Sequence, residues 1–101
     1  MNIAVTRQNF NALDVGIKVL FALMIEAEDD GTFNINKSTV AEQLKVSRQT
    51  VGKHICTFAS CNMLKFKYSG QGIFNPDFHY TGAAVELNQV REKYKSFKSD
   101  V

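Results

Sequence analysis

Two helix starts fall within residues 36–55, NKSTVAEQLKVSRQTVGKHI, so the chain is expected to run there as helix, tight turn and helix. Asn36 can accept a hydrogen bond from a first-turn backbone N–H that has no partner inside the helix, and Ile35 and Val40 stand at the positions of a hydrophobic staple. Val40, Ala41 and Leu44 share one helical face, and Ala41 is small enough to let a crossing helix approach. This helix should end near Lys45, where the turn needs a left-handed backbone that glycine usually supplies and lysine adopts at modest cost. Ser47 then caps a second helix stapled by Val46 and Val51, with Val51, Ile55, Phe58 and Ala59 facing inward. His54 is an unusual choice for a slot facing the first helix.

The outward face of the second helix carries Arg48, Gln49, Thr50, Gly52, Lys53 and Thr57, a set of long cations and amides near an exposed helix N-terminus. Such a face, braced by a partner helix, suits the major groove of double-stranded DNA. Arg48 and Gln49 are expected to read base edges, Ser47 and Thr50 to lie beside them, and Lys53 and Lys37 to hold phosphates. Two helices packed in a small bundle would account for the apolar positions but not for this outward set.

Charge is distributed to match. The net charge is only +2, but residues 1–31 hold two cations against five anions, whereas residues 32–82 hold six cations against two anions. A basic surface of that kind neutralises phosphates, with affinity that falls as salt rises. With 101 residues and 45% hydrophobic content, the chain can bury one compact core. Cys56 and Cys61 fit neither a disulfide framework nor a zinc knuckle and read as small buried hydrophobes. The rival reading is a thiol or metal sensor built with His54. No apolar run has the length of a membrane span, and MNIAVTRQNF lacks the plan of a signal peptide, so a cytoplasmic protein is expected.

Around the motif, residues 11–28 place Leu13, Ile17, Leu20, Phe21 and Met24 at helical spacing, with Asn11 available as cap. The run VLFALMI is apolar enough to be covered on more than one side, and the second cover could be another subunit. EAEDDG should end this helix with Gly31, and residues 32–35 are short and β-compatible. Residues 63–68, MLKFKY, alternate apolar and basic, the period of a half-buried strand; SGQG turns, and IFNP returns until Pro76 interrupts the ladder. The expected fold is mainly α with a small β-hairpin, a winged helix-turn-helix in which Lys65 and Lys67 project together from the wing toward DNA. The same lysines could simply guard an edge strand.

Residues 83–97 place Ala83, Leu87, Val90, Tyr94 and Phe97 at alternating steps of four and three, the seam of a short coiled helix. The chain therefore divides into a DNA-binding domain over residues 1–82 and an additional C-terminal helix over 83–101. That helix could pack back on the first one, but a homodimer through it is favoured, because paired half-sites need a two-fold partner.

Catalytic chemistry finds no support. GQG at 70–72 lacks the strand-to-helix setting of a phosphate loop, His54 and His79 are not at ligand spacing, and Asp29 and Asp30 form a solvated helix-terminal pair. Neither an enzyme, a cofactor nor a metal is expected.

The order of the helix VGIKVLFALMIEAE, the motif ending SRQTVGKHI, a hairpin and FNPDFHYTG resembles the winged-helix core of small plasmid replication proteins of the RepL type. In that family an aromatic or aliphatic residue before Asn-Pro, a short aromatic stretch and a glycine close the wing. Phe74, Asn75, Pro76, Phe78, Tyr80 and Gly82 match this element, and the likeness covers roughly residues 12–83. The resemblance implies DNA contacts from Ser47, Arg48, Gln49, Thr50 and Lys53, and a structural role for Asn75 and Pro76. It implies a part in plasmid or phage replication, copy control or maintenance. A transcriptional repressor of the same fold, or a protein-interaction module in a replication or partition complex, are the alternatives.

Overall fold

The computed structural model describes residues 14–80 and 86–100. Asp14 opens α1 (Val15–Glu26), its carboxylate accepting the Gly16 N–H at 2.8 Å. The expected cap Asn11 lies outside the described residues. Ala27 turns extended and ends the helix, and Gly31, at φ 83°, serves the following turn instead. β1 (Thr32–Asn34) leads into α2 (Lys37–Leu44), where Asn36 Oδ1 accepts the N–H groups of Ser38 and Thr39 at 2.9 and 3.2 Å. Lys45 sits at φ 57°, ψ 44°, the left-handed turn residue its position requires. Ser47 Oγ then accepts the Thr50 N–H at 3.1 Å and starts α3 (Arg48–Ser60). β2 (Leu64–Phe66), β3 (Gln71–Phe74) and α4 (Leu87–Ser96) complete the described elements.

The architecture is mixed α/β: the expected helices and hairpin are present, and the β-compatible stretch before the motif pairs with the hairpin as a third strand. Among the described residues, four helices accompany one antiparallel sheet of three strands, ordered β1-β3-β2. Phe33 and Phe66 flank Gly72 in register, and Leu64 stands opposite Phe74. This face of the sheet meets Val19, Leu23, Val40, Val51 and Ile55 from the first three helices. Successive strand residues point to opposite faces, so Thr32, Ile73 and Lys65 form a row on the other side.

α1 turns a different side inward than its spacing suggests. Gly16, Val19 and Leu23 are buried, whereas Leu20, Phe21 and Met24 are half-buried and Ile17 is 43% exposed. The cause is the crossing with α3: a Cβ on Gly16 would lie 3.1 Å from His54 Nδ1, so the small residue of this crossing is on α1 and its bulky partner on α3. The cysteines are also corrected. Cys56 and Cys61 are both exposed, since Cys56 falls off the stripe that runs through Val51 and Ile55 and Cys61 caps the helix end.

Gly70 is required by its backbone conformation and Gly72 by a ring packed against it. Gly70 has φ 105°, donates its N–H to Lys67 O at 2.9 Å and accepts the Ile35 N–H at 3.0 Å. A Cβ there would fall 2.1 Å from Ile35 O. At Gly72 the Phe33 ring fills the space a side chain would need, 2.2 Å from an ideal Cβ.

α4 covers the second face of the sheet. Val90 and Tyr94 are buried, and the Tyr94 hydroxyl donates to Asn62 Oδ1 at 2.7 Å. Asn62, itself left-handed at φ 58°, also accepts the Asn75 amide at its carbonyl, 2.9 Å away. Arg91 pairs with Asp77 at 3.0 Å, and Lys93 reaches Asp30 beside β1. Burial alone would raise the Asp30 pKa, but hydrogen bonds from the Lys93 ammonium and the Thr32 hydroxyl and N–H, with the Lys93 charge, hold it down from 3.8 to about 2. A lowered carboxylate pKa stabilises the fold above the unfolded value, and this contribution is lost as pH falls from 3.8 through about 2. Asp30→Asn should therefore flatten the acid limb of stability over that window while changing the melting temperature less at lower pH, as checked by thermal melts across pH.

Candidate nucleic-acid interface

The outward face of α3 is open. Arg48, Gln49 and Lys53 are exposed, and among the described residues none of the three side chains has a hydrogen-bond or ion-pair partner. Their helix is held from behind by Val51 and Ile55, both essentially without solvent exposure, so the side chains stand on a rigid support. Ser47 and Thr50 are committed to the cap, with their hydroxyls 2.8 Å apart and Ser47 Oγ also accepting the Thr50 N–H. They fix the helix start more than they offer free donors. Thr57 turns its hydroxyl back onto Lys53 O at 3.1 Å.

Lys37 joins the helix face to the hairpin. Its ammonium lies 5.2 Å from the Phe66 ring centroid and 5.8 Å from that of Tyr68, within cation–π reach of both. The same group overhangs α3, 3.7 Å from where a Cβ on Gly52 would be. Lys37, Arg48, Gln49 and Gly52 thereby line one open notch of about 310 Å³. Tyr68, 69% exposed, extends this surface onto the hairpin. Alternation along MLKFKY puts Tyr68 with Leu64 and Phe66 on the inward face, and its exposure corrects that reading. The pairing of β2 with β3 ends at Phe66, so Tyr68 lies beyond the stretch that the ladder holds to the core.

Lys65 and Lys67 depart from expectation. They do share a face of the hairpin, but α4 and the residues after it cover that face. The Lys65 ammonium donates to Tyr94 O at 2.7 Å and lies 4.6 Å from the Tyr94 ring, while Lys67 sits 5.0 Å from the Phe97 ring. Residues 97–100 then run along the outer edge of β2. Asp100 donates its N–H to Phe66 O at 2.8 Å, Ser99 Oγ accepts the Phe66 N–H at 3.0 Å, and the Asp100 carboxylate accepts the Tyr68 N–H at 3.0 Å. The edge of β2 is thus covered by chain and does not depend on its lysines for protection. The sequence offers no local sign of this, since the contacts join residues about thirty apart.

Among the described residues no three His, Cys, Asp or Glu side chains stand together as a metal site, and no described helix is long and apolar enough to cross a membrane. No family model, curated protein or solved structure matches the chain.

Proposed function

We propose that this chain is a winged helix-turn-helix protein that binds double-stranded DNA in a sequence-specific manner, with α3 as the reading helix and the β2–β3 hairpin as the wing. The observation that carries the reading is the exposed set Arg48, Gln49 and Lys53, whose side chains have no partner among the described residues, near the start of a helix whose opposite face is locked in the core. The sheet order β1-β3-β2, with the hairpin directly after α3, fits the same reading. Arg48 and Gln49 read base edges, and Lys37 and Lys53 hold phosphates. Lys65 and Lys67 take no part in this grip, since they lie on the strand face that Tyr94 and Phe97 cover, opposite the Phe66 face over which Lys37 stands. The likeness to small plasmid replication proteins of the RepL type makes replication, copy control or maintenance of a plasmid or phage the process proposed. A repressor would use the same face. A homodimer through the last helix would have to use its outer flank, because Val90 and Tyr94 are buried within the chain.

The test is binding of duplex DNA across salt concentrations. Each phosphate held contributes a slope of about 0.9 in log affinity against log salt. Lys37→Met and Lys53→Met should each make that slope shallower by about one. Lys65→Met with Lys67→Met should leave it unchanged. Salt-insensitive or absent binding by the native chain would refute the proposal.

One observation favours a second reading, a protein-interaction module. Ile17 and Ile25 are 43% and 79% exposed, with the half-buried Phe21 between them at helical spacing on α1. In that case a partner would cover α1, and duplex DNA would not bind.

A further inference from the structure

Gly52 breaks a local rule without a reason inside the fold. It lies in the interior of α3, where glycine costs about 0.5–1 kcal/mol relative to alanine because its backbone loses more freedom on helix formation. Packing does not demand it. Among the described residues, a Cβ at this position would meet only the Lys37 ammonium, at 3.7 Å, an ordinary contact with the far end of a flexible side chain. This separates Gly52 from Gly70 and Gly72, where backbone or a buried ring excludes any side chain. A bare stretch of helix that the core does not need is explained by something approaching from outside.

The surroundings of Gly52 indicate what approaches. The glycine is the floor of the notch whose other walls are Lys37, Arg48 and Gln49, two cations and an amide with no carboxylate among them. Lys37 is held over that floor from α2, steadied by the Phe66 and Tyr68 rings, while Arg48 rises from the preceding turn of α3. Donors converge from two helices on a space closed below by backbone alone. An anion with several acceptor oxygens fits this chemistry, and a side chain on the floor would hold it away from the helix.

We infer that the Lys37–Arg48–Gln49–Gly52 notch is a binding site for a phosphate group, and that the group is a backbone phosphodiester of the duplex gripped by α3. The inference rests on the DNA-binding reading and adds to it the contact that sets the register of the reading helix. Gly52 lets the sugar–phosphate backbone come down onto α3. Lys37 supplies the opposing charge, and Arg48 faces both the notch and the groove.

Gly52→Ala in the full chain tests this, because alanine leaves the fold intact by the geometry above. The melting temperature should stay level or rise. Duplex affinity near 0.1 M salt should drop roughly tenfold, with a salt slope shallower by about one, the signature of one phosphate no longer held. Lys37→Met should weaken binding to the same degree, and the double variant should bind little more weakly than either single one, since both act on one phosphate. Equal affinity of the Gly52→Ala variant and the native chain would overturn the notch while leaving DNA binding in place. So would a fall in melting temperature, which would make the glycine structural, or fully additive effects. No duplex binding by the native chain would overturn both readings together. Titration with inorganic phosphate separates the two sources of the group: weak, unsaturated binding at millimolar phosphate is expected, and saturation there would make this a free-anion site.

Discussion

Replacing Arg48 and Gln49 together by alanine is expected to weaken binding to a selected duplex roughly thirtyfold or more and to leave the melting temperature within error of the native value. The magnitude follows from about 1 to 3 kcal/mol for each bidentate pairing with a base edge that the substitution removes. The stability half is as important as the affinity half. Both side chains are exposed at the start of α3 without a described partner, and alanine is the better helix former, so folding has little to lose. Binding to random duplex at low salt should suffer less than binding to the selected site, because base contacts carry the discrimination. Competition binding with selected and random duplex reads both quantities. An equal weakening on the two would mean that Arg48 and Gln49 act only as charge and hydrogen-bonding surface and read no sequence.

The second large effect concerns the fold. Gly70→Ala is expected to cost about 3 kcal/mol or more and to lower the melting temperature by more than about 10 °C. Two independent penalties meet at this residue: a backbone at φ 105° that side-chain-bearing residues rarely adopt, and a carbonyl of Ile35 only 2.1 Å from the added carbon. Relief would require moving the chain that leads into α2, since Ile35 N–H is bonded to Gly70 O at 3.0 Å. Lys37 follows two residues later, so the hairpin turn and the start of α2 are tied at one point. Ser69→Ala, at an exposed neighbour in the same turn, should melt within about 1 °C of the native chain and serves as control. A Gly70→Ala variant as stable as the control would contradict the described turn.

The parts that can be read from residues are those whose cause is local. Asn36 and Ser47 act on N–H groups two or three positions away, and Lys45 responds to a turn set by its immediate neighbours. Pairing of β1 with β3 depends instead on residues about forty apart, so the sequence marks residues 32–35 as β-compatible but not that they join the hairpin. The inward side of α1 is hidden because VLFALMI is apolar on every side; the decision falls to a Gly16–His54 crossing visible only once α3 is in place.

The interface divides in the same way. The face of α3 follows from helical period alone, whereas the fate of Lys65 and Lys67 is decided by Tyr94, Phe97 and the run of residues 97–100 along β2. Lys37 reads as a phosphate contact from its place at a helix start. Its position over Gly52, beside the Phe66 and Tyr68 rings, depends on α2, α3 and the hairpin meeting in three dimensions.

Selection of bound fragments from a random duplex library, run in parallel with the native chain and the Arg48→Ala, Gln49→Ala variant, tests the reading-helix assignment most directly. The native chain should recover a defined motif, and the variant should recover fewer sequences with weaker preference at particular base pairs within it. Recovery of no motif by the native chain, or of the same motif at undiminished selectivity by the variant, would contradict the assignment of α3 as the element that reads DNA.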